Sequence, residues 1–257
     1  MINNYYRPAS VEEAIEFLTD EKMALRPLGG GTSISRNQEG EFGVVDLQAA
    51  GLDQMIEKGQ KLQVGAMVRL HNLLDHPDVH PELKRAILID SSENIRNMAT
   101  LGGWLVSANG RSITSTLLLV LDATLTWQPG DNVVRLGDWL PLRGIDTPGV
   151  LITAVQWGLK PHLAFEYAAR SPKDKPIVIA AAAQWGSGRT RIALGGYGKM
   201  PIIAMDGRGD DDVVLASQNA YADADDQWAS ADYRRDVAGK LASRCLERIE
   251  HIKESEV

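Results

Sequence analysis

The sequence predicts a mixed α/β (α+β) fold, and three patterns predict it. Short apolar runs of strand length, Met23 to Leu28, Phe42 to Leu47 and Lys61 to Val64, share the first third of the chain with segments of helical period. After about Lys160-Pro161 the chain turns β-rich, with Ile177 to Trp185 and Arg189 to Leu194 joined by Gly186-Ser187-Gly188, a good antiparallel hairpin signal. The tail, Ser230 to Ile249, has a helical stripe of Tyr233, Val237, Leu241 and Cys245.

Taken in order, Ser10-Val11-Glu12-Glu13 reads as a capping box. Ser10 can accept from the Glu13 amide while Glu13 reaches back. Val11, Ala14, Ile15 and Leu18 then share one helical face. The Met23 to Leu28 run reads as a buried strand leading straight into Gly29-Gly30-Gly31-Thr32-Ser33. Val68 to Leu74 and Pro81 to Ile89 look helical, and Asn94 to Gly103 reads as a second glycine loop. Leu117 to Leu121 is a short buried turn of helix. Ala123 to Trp127 and Val133 to Leu136 form a hairpin around Pro129-Gly130-Asp131-Asn132, and Gly149 to Leu159 is a further strand. Asp206 to Asp212 and Asp223 to Asp226 read as acidic loops.

Composition excludes several function classes. A net charge of -7 repels phosphate backbones, which argues against nucleic acid as a partner. The single cysteine, Cys245, permits no internal disulfide and no iron–sulfur ligation by this chain alone. No apolar stretch is long enough to cross a bilayer, and no signal-type segment opens the chain, so a cytoplasmic protein is expected. His71, His76 and His80 are interrupted by Pro77 and Pro81 and read as a solvated joint. The Asp210-Asp211-Asp212 and Asp223, Asp225, Asp226 groups lack the glycine turn and terminal Glu of a calcium loop. No catalytic residue and no metal ligand is predicted. The tryptophans Trp127, Trp139, Trp157, Trp185 and Trp228 are scattered, which suggests packing or interfaces.

The glycine segments carry the functional signal. Residues without a Cβ let a backbone approach a diphosphate, whose oxygens successive amides can then bind. Leu28, Gly29, Gly30, Gly31, Thr32 and Ser33 suit this, and Thr100, Gly102 and Gly103 offer a second such surface. There is no Gly-Lys-Ser/Thr of a P-loop, and Ile34 stands where the third Rossmann glycine belongs.

Arg26 to Ile34 and Ile95 to Gly103 resemble the two flavin-binding signatures of the xanthine dehydrogenase and carbon monoxide dehydrogenase flavin subunits. Tyr6 to Leu18, Val64-Gly65-Ala66, Arg170 to Ala183, Ile192 to Gly196 and Ala231 to Arg235 resemble further parts of that family in the same order. The resemblance implies an FAD-binding region over 1–160, built of two α/β subdomains (about 1–55 and 56–160). It implies a small C-terminal domain over 161–257 with an antiparallel sheet and helices. It also implies FAD extended between the subdomains, its diphosphate held by both glycine segments and its flavin ring near Ile152. The activity implied is electron transfer within a molybdenum-containing oxidoreductase, with an iron–sulfur subunit and a molybdopterin subunit as partners. The chain departs from the family pattern at two contacts: Trp104 replaces the usual Asn after Gly102-Gly103, and Ile113 falls where an Asp is usual. In the C-terminal domain the family often has a Lys near Glu166. Asn109 and Arg111 are candidate substitute donors, and Trp104 is a candidate stacking ring. The alternatives are a subunit that has lost FAD and serves assembly, and a stand-alone flavin reductase.

Overall fold

The computed structural model describes residues 2–20, 22, 24–34, 40–144, 149–209 and 212–255. The chain begins with β1 (Ile2–Tyr6), α1 (Val11–Thr19), β2 (Leu25–Leu28), β3 (Phe42–Asp46), β4 (Met55–Lys58) and β5 (Lys61–Gly65). Five helices follow: α2 (Leu70–Asp75), α3 (Pro81–Asp90), α4 (Glu93–Met98), α5 (Leu101–Ser107) and α6 (Ile113–Val120). Then come β6 (Thr124–Gln128), β7 (Asn132–Arg135), α7 (Leu136–Trp139) and β8 (Leu151–Gly158). The remainder is β9 (His162–Ala168), β10 (Val178–Gln184), β11 (Arg189–Gly195), β12 (Ile202–Arg208), α8 (Val213–Ala220) and α9 (Ala231–Ser255).

These elements form two compact units that interleave along the chain. The first comprises Met1–Asp78, Ser91–Ser107 and Thr124–Trp157, and the second Val79–Asp90, Ala108–Ala123 and Gly158–Val257. The second unit thus draws two segments from the first 160 residues.

The first unit holds two sheets. One is parallel with order β1-β3-β2, and the other has order β4-β5-β8-β6-β7. β3 is central, and all five of its residues are buried. β2 is an edge strand with its residues half-buried or exposed, which differs from the buried strand expected over Met23 to Leu28. Met23 itself lies outside the described residues. α1 starts as expected, with the Ser10 hydroxyl accepting from the Glu13 amide and the Glu13 carboxylate accepting from the Ala9 amide. Its apolar face packs Ala14 with Val45, Leu47, Met67 and Leu151, which ties the helix to residues from both sheets.

The second unit is an antiparallel sheet of order β12-β11-β10-β9. β10 has four successive alanines, Ala180 to Ala183, all fully buried. Small side chains on both faces let α9 pack on β9 and β10 and α6 pack on β10 and β11. The buried stripe of α9 is Arg234, Ala238, Leu241, Ala242, Cys245 and Ile249, while Tyr233 is exposed. The stripe starts one residue later than the sequence predicts because all three nitrogens of the Arg234 guanidinium find acceptors in the core. It donates to the carbonyls of Ile177, Ala224 and Ala229 and to the Asp226 carboxylate. Asp206, expected in an acidic loop, lies on β12, where it pairs with Arg189 and Arg191 of the neighbouring strand. Cys245 is a buried thiol that donates to the Ala180 carbonyl, and burial raises its pKa.

His80 caps α3, its Nδ1 accepting from the Glu82 amide at 3.1 Å. Burial, and then the nearby His162, push its pKa below the ordinary 6.5. The neutral ring is therefore favoured on folding, and protonation turns the accepting nitrogen into a donor facing an N–H. Stability is full above the ordinary imidazole value and falls as pH drops from there through the lower folded value. The unfolding free energy from denaturant titrations at pH 8 to pH 5 should drop on acidification, by about 1 kcal/mol from this cap. His80→Asn, which keeps a capping acceptor, should flatten that dependence; an unchanged pH profile in the variant contradicts the assignment.

Candidate functional site

The first unit contains a cleft of about 900 Å³, at the upper end of ligand-pocket size. Gly29 to Ile34, following β2, supply one part of its wall. Thr100, Gly102, Gly103, Val106 and Ser107 supply another, and Trp127, Trp139 and Val150 to Ile152 a third.

The second glycine segment is mostly helix. It contains α4 and the start of α5, so Gly102 and Gly103 are helical residues, not loop residues. Between the two helices, Ala99 to Gly102 run along residues 66 to 70. The amides of Gly102, Leu101 and Leu70 donate to the carbonyls of Ala66, Val68 and Ala99 at 2.9, 2.8 and 3.0 Å. Glycine is needed at 102 because a Cβ there would stand 2.9 Å from the Ala66 Cβ.

The first glycine turn then lies against the other side of this ribbon. A Cβ on Gly30 would sit 1.8 Å from the Met98 carbonyl oxygen, and one on Gly29 would sit 2.6 Å from Thr100 Oγ1. Gly31 is different: its φ of +71° is the left-handed region, and no atom crowds its open side closer than 3.7 Å. Gly30 is thus glycine so that two stretches of backbone can touch, and Gly29 so that the Thr100 side chain can lie against it, a packing role beside the phosphate-admitting one expected from the sequence.

The chemistry of the cleft favours an anion. Among the described residues, the backbone N–H groups of Gly30, Gly31, Thr32 and Ser33 have no protein acceptor. Such a run of unpaired main-chain donors suits phosphate oxygens. Arg26 and Arg143 also line the cleft, and among its described lining residues there is no Asp or Glu. The Arg143 guanidinium donates to the Leu105 carbonyl at 2.8 Å, and burial lowers its pKa. Arg26 lies over the Phe42 ring, 4.6 Å from its centroid.

Leu28, Gly29, Gly30, Gly31, Thr32, Ser33, Thr100, Gly102, Gly103 and Ile152 all line this cleft, so the structure brings together ten residues singled out in the sequence. Trp104 does not line it, although it follows Gly103 directly on α5. Asn109 belongs to the second unit, where its side chain accepts from the Arg111 amide. Arg111 is likewise committed within that unit, to the carbonyls of Pro176 and Lys175. Ile113 is fully buried there, and its amide donates to the Asp90 carboxylate at 3.0 Å. Sequence reading held Arg26 only as the start of the first flavin-type signature, and missed Arg143, Trp127 and Trp139 as wall residues, because nothing in their spacing marks a shared surface.

Gly30→Ala should be the most damaging glycine substitution in this wall, because its clash is with backbone. It should cost about 3 kcal/mol. Gly31→Ala meets only conformational strain, about 1 to 2 kcal/mol. Thermal unfolding of both variants checks the order; equal or reversed losses contradict the close approach.

Comparisons with known proteins agree along the chain. Residues 1–157 match the family described as FAD binding domain in molybdopterin dehydrogenase. The carbon monoxide dehydrogenase medium chain of Afipia carboxidovorans is 27% identical over 276 residues, covering 95% of this chain and 96% of that one. An uncharacterised protein of Escherichia coli K12, YgfM, is 26% identical over 251 residues, covering 95% of each. The solved structure of reconstituted CO dehydrogenase from Oligotropha carboxidovorans has a TM-score of 0.82 at 25% identity, over 98% of this chain and 99% of that one.

Proposed function

The chain belongs to the family of FAD-binding domains of molybdopterin dehydrogenases, and from that premise we propose that it is the flavin-carrying, electron-transferring subunit of a molybdenum-containing oxidoreductase. The observation that carries this is the cleft wall of unpaired amides at Gly30 to Ser33, with two guanidiniums and no described carboxylate. The residues present fit FAD. Gly30 to Ser33 would hold one side of its diphosphate, and Thr100 with Gly103 the other. Ile152 and the apolar lining around it would meet the cofactor's less polar parts.

Bound FAD supplies hydride and single-electron chemistry that no amino-acid side chain can. The protein's own part is to bind, to orient and to exclude water. No acid or base on this chain is assigned a proton-transfer role. The chain has one cysteine, buried Cys245, so iron–sulfur ligation must come from elsewhere. A partner with iron–sulfur clusters and a partner with molybdopterin complete the reading. The name of the Afipia relative, a medium chain of carbon monoxide dehydrogenase, supports a place in a multi-subunit enzyme. With FAD held in the cleft, this chain would relay electrons between the partner's clusters and an external acceptor, and organic substrate would be handled on another chain. Among the described residues no helix is long and apolar enough to cross a membrane.

Trp104 and Ile113 motivate the competing reading, a subunit retained for assembly alone. The open cleft, with its run of amides that have no acceptor among the described residues, favours FAD retention. Absorption spectra of the purified full chain, before and after adding FAD and removing the excess, separate the two. The expected result is a flavin spectrum near one FAD per chain. A well-folded chain that neither carries nor takes up FAD contradicts the proposal.

A further inference from the structure

One part of the cleft wall is aromatic. Trp127, near the end of β6, and Trp139, the last residue of α7, both line the cleft with Val150, Leu151 and Ile152. Their ring centroids are 5.8 Å apart and their planes 56° apart. Each ring stays only half-buried. Tryptophan carries a large apolar payload, so two of them left partly open on a concave wall mark a surface that a ligand covers.

The sheet departs from regular register at Trp127. β6 pairs with β8 as Leu125 with Val155 and Thr126 with Ala154, but Trp127 then faces Ile152, leaving Thr153 as an extra residue. A bulge of this kind re-aims the side chains beside it. Thr153 is held on both flanks: its hydroxyl donates to the Thr126 carbonyl at 3.3 Å, and its carbonyl accepts from the Ala66 amide at 2.9 Å. With this register Trp127 and Ile152 are paired across the strands and both line the cleft.

We propose that Trp127 and Trp139 form the seat for a planar heteroaromatic ring of the bound dinucleotide. This rests on the FAD reading above and adds ring-binding residues to it. A sandwich between two indoles needs parallel faces about 7 Å apart. The observed pair is closer and tilted, so a ligand ring stacks on one indole and meets the other at its edge, a favoured aromatic arrangement. The wall then divides its labour, with amides and guanidiniums for the diphosphate and indoles for a ring. FAD has two such rings, adenine and isoalloxazine.

The test is a fluorescence titration of the full chain, stripped of any flavin, with FAD. Trp127→Leu and Trp139→Leu should each weaken FAD binding by roughly tenfold, with circular dichroism confirming the fold. Trp127→Phe and Trp139→Phe keep a stacking ring and should stay within about threefold of wild type, with reduced ligand-induced quenching of tryptophan emission. Parallel titrations with FMN and ADP name the ring. Loss for FMN alone assigns the isoalloxazine, and loss for ADP alone assigns the adenine. Folded Leu variants that bind FAD like wild type overturn the seat and leave the FAD reading standing. Should the Leu variants not fold, unchanged affinity and unchanged quenching in both Phe variants overturn it. Wild-type chain that binds no FAD defeats the parent reading and the seat together.

Discussion

A main chain can lie directly on another main chain only where the intervening Cβ is missing, and the cleft depends on that contact at Gly30. The Gly30 Cα faces the Met98 carbonyl so closely that any side chain would overlap it. The same ribbon is gripped from its other side by Ala66 and Val68 through hydrogen bonds to Gly102 and Leu101. The edge of the β1-β3-β2 sheet and the segment after residue 93 thus meet through backbone at Gly30 and through the Thr100 side chain at Gly29. Protein interiors tolerate such contacts only with tight shape matching, so a single added methyl group is felt.

Unpaired amides are expensive unless water or a ligand satisfies them. Among the described residues, Gly30 to Ser33 present four in succession without a protein acceptor, on a wall that also carries Arg26 and Arg143. A run of main-chain donors suited to an anion stands here without the lysine of a P-loop and without the third glycine of a Rossmann turn.

Much of this architecture was legible in the residues. The Ser10 cap, the β6–β7 and β10–β11 hairpins and the long last helix follow local rules of period and turn chemistry. What escaped was set by partners distant in sequence. β1 is a polar, mostly exposed Ile-Asn-Asn-Tyr-Tyr segment that becomes a strand because β3 offers it a ladder. The end of β12 from Asp206 reads as an acidic loop until Arg189 and Arg191 pair with Asp206 across the sheet. Arg234 enters the core because carbonyls of Ile177, Ala224 and Ala229 converge on it. In the site, the glycine segments were visible as motifs, but the reason for Gly29 and Gly30 was not, since it resides in residues 98 to 100. Trp127 joins the wall through a one-residue bulge on another strand, which no local pattern announces.

Amide hydrogen exchange, resolved by residue and compared with and without FAD, tests most directly whether the two glycine segments serve one ligand. Slowing at Gly30 to Ser33 together with Thr100 to Trp104, rising in step with FAD occupancy, is the predicted result. FAD bound at full occupancy with protection at only one of these segments, or at neither, contradicts the account.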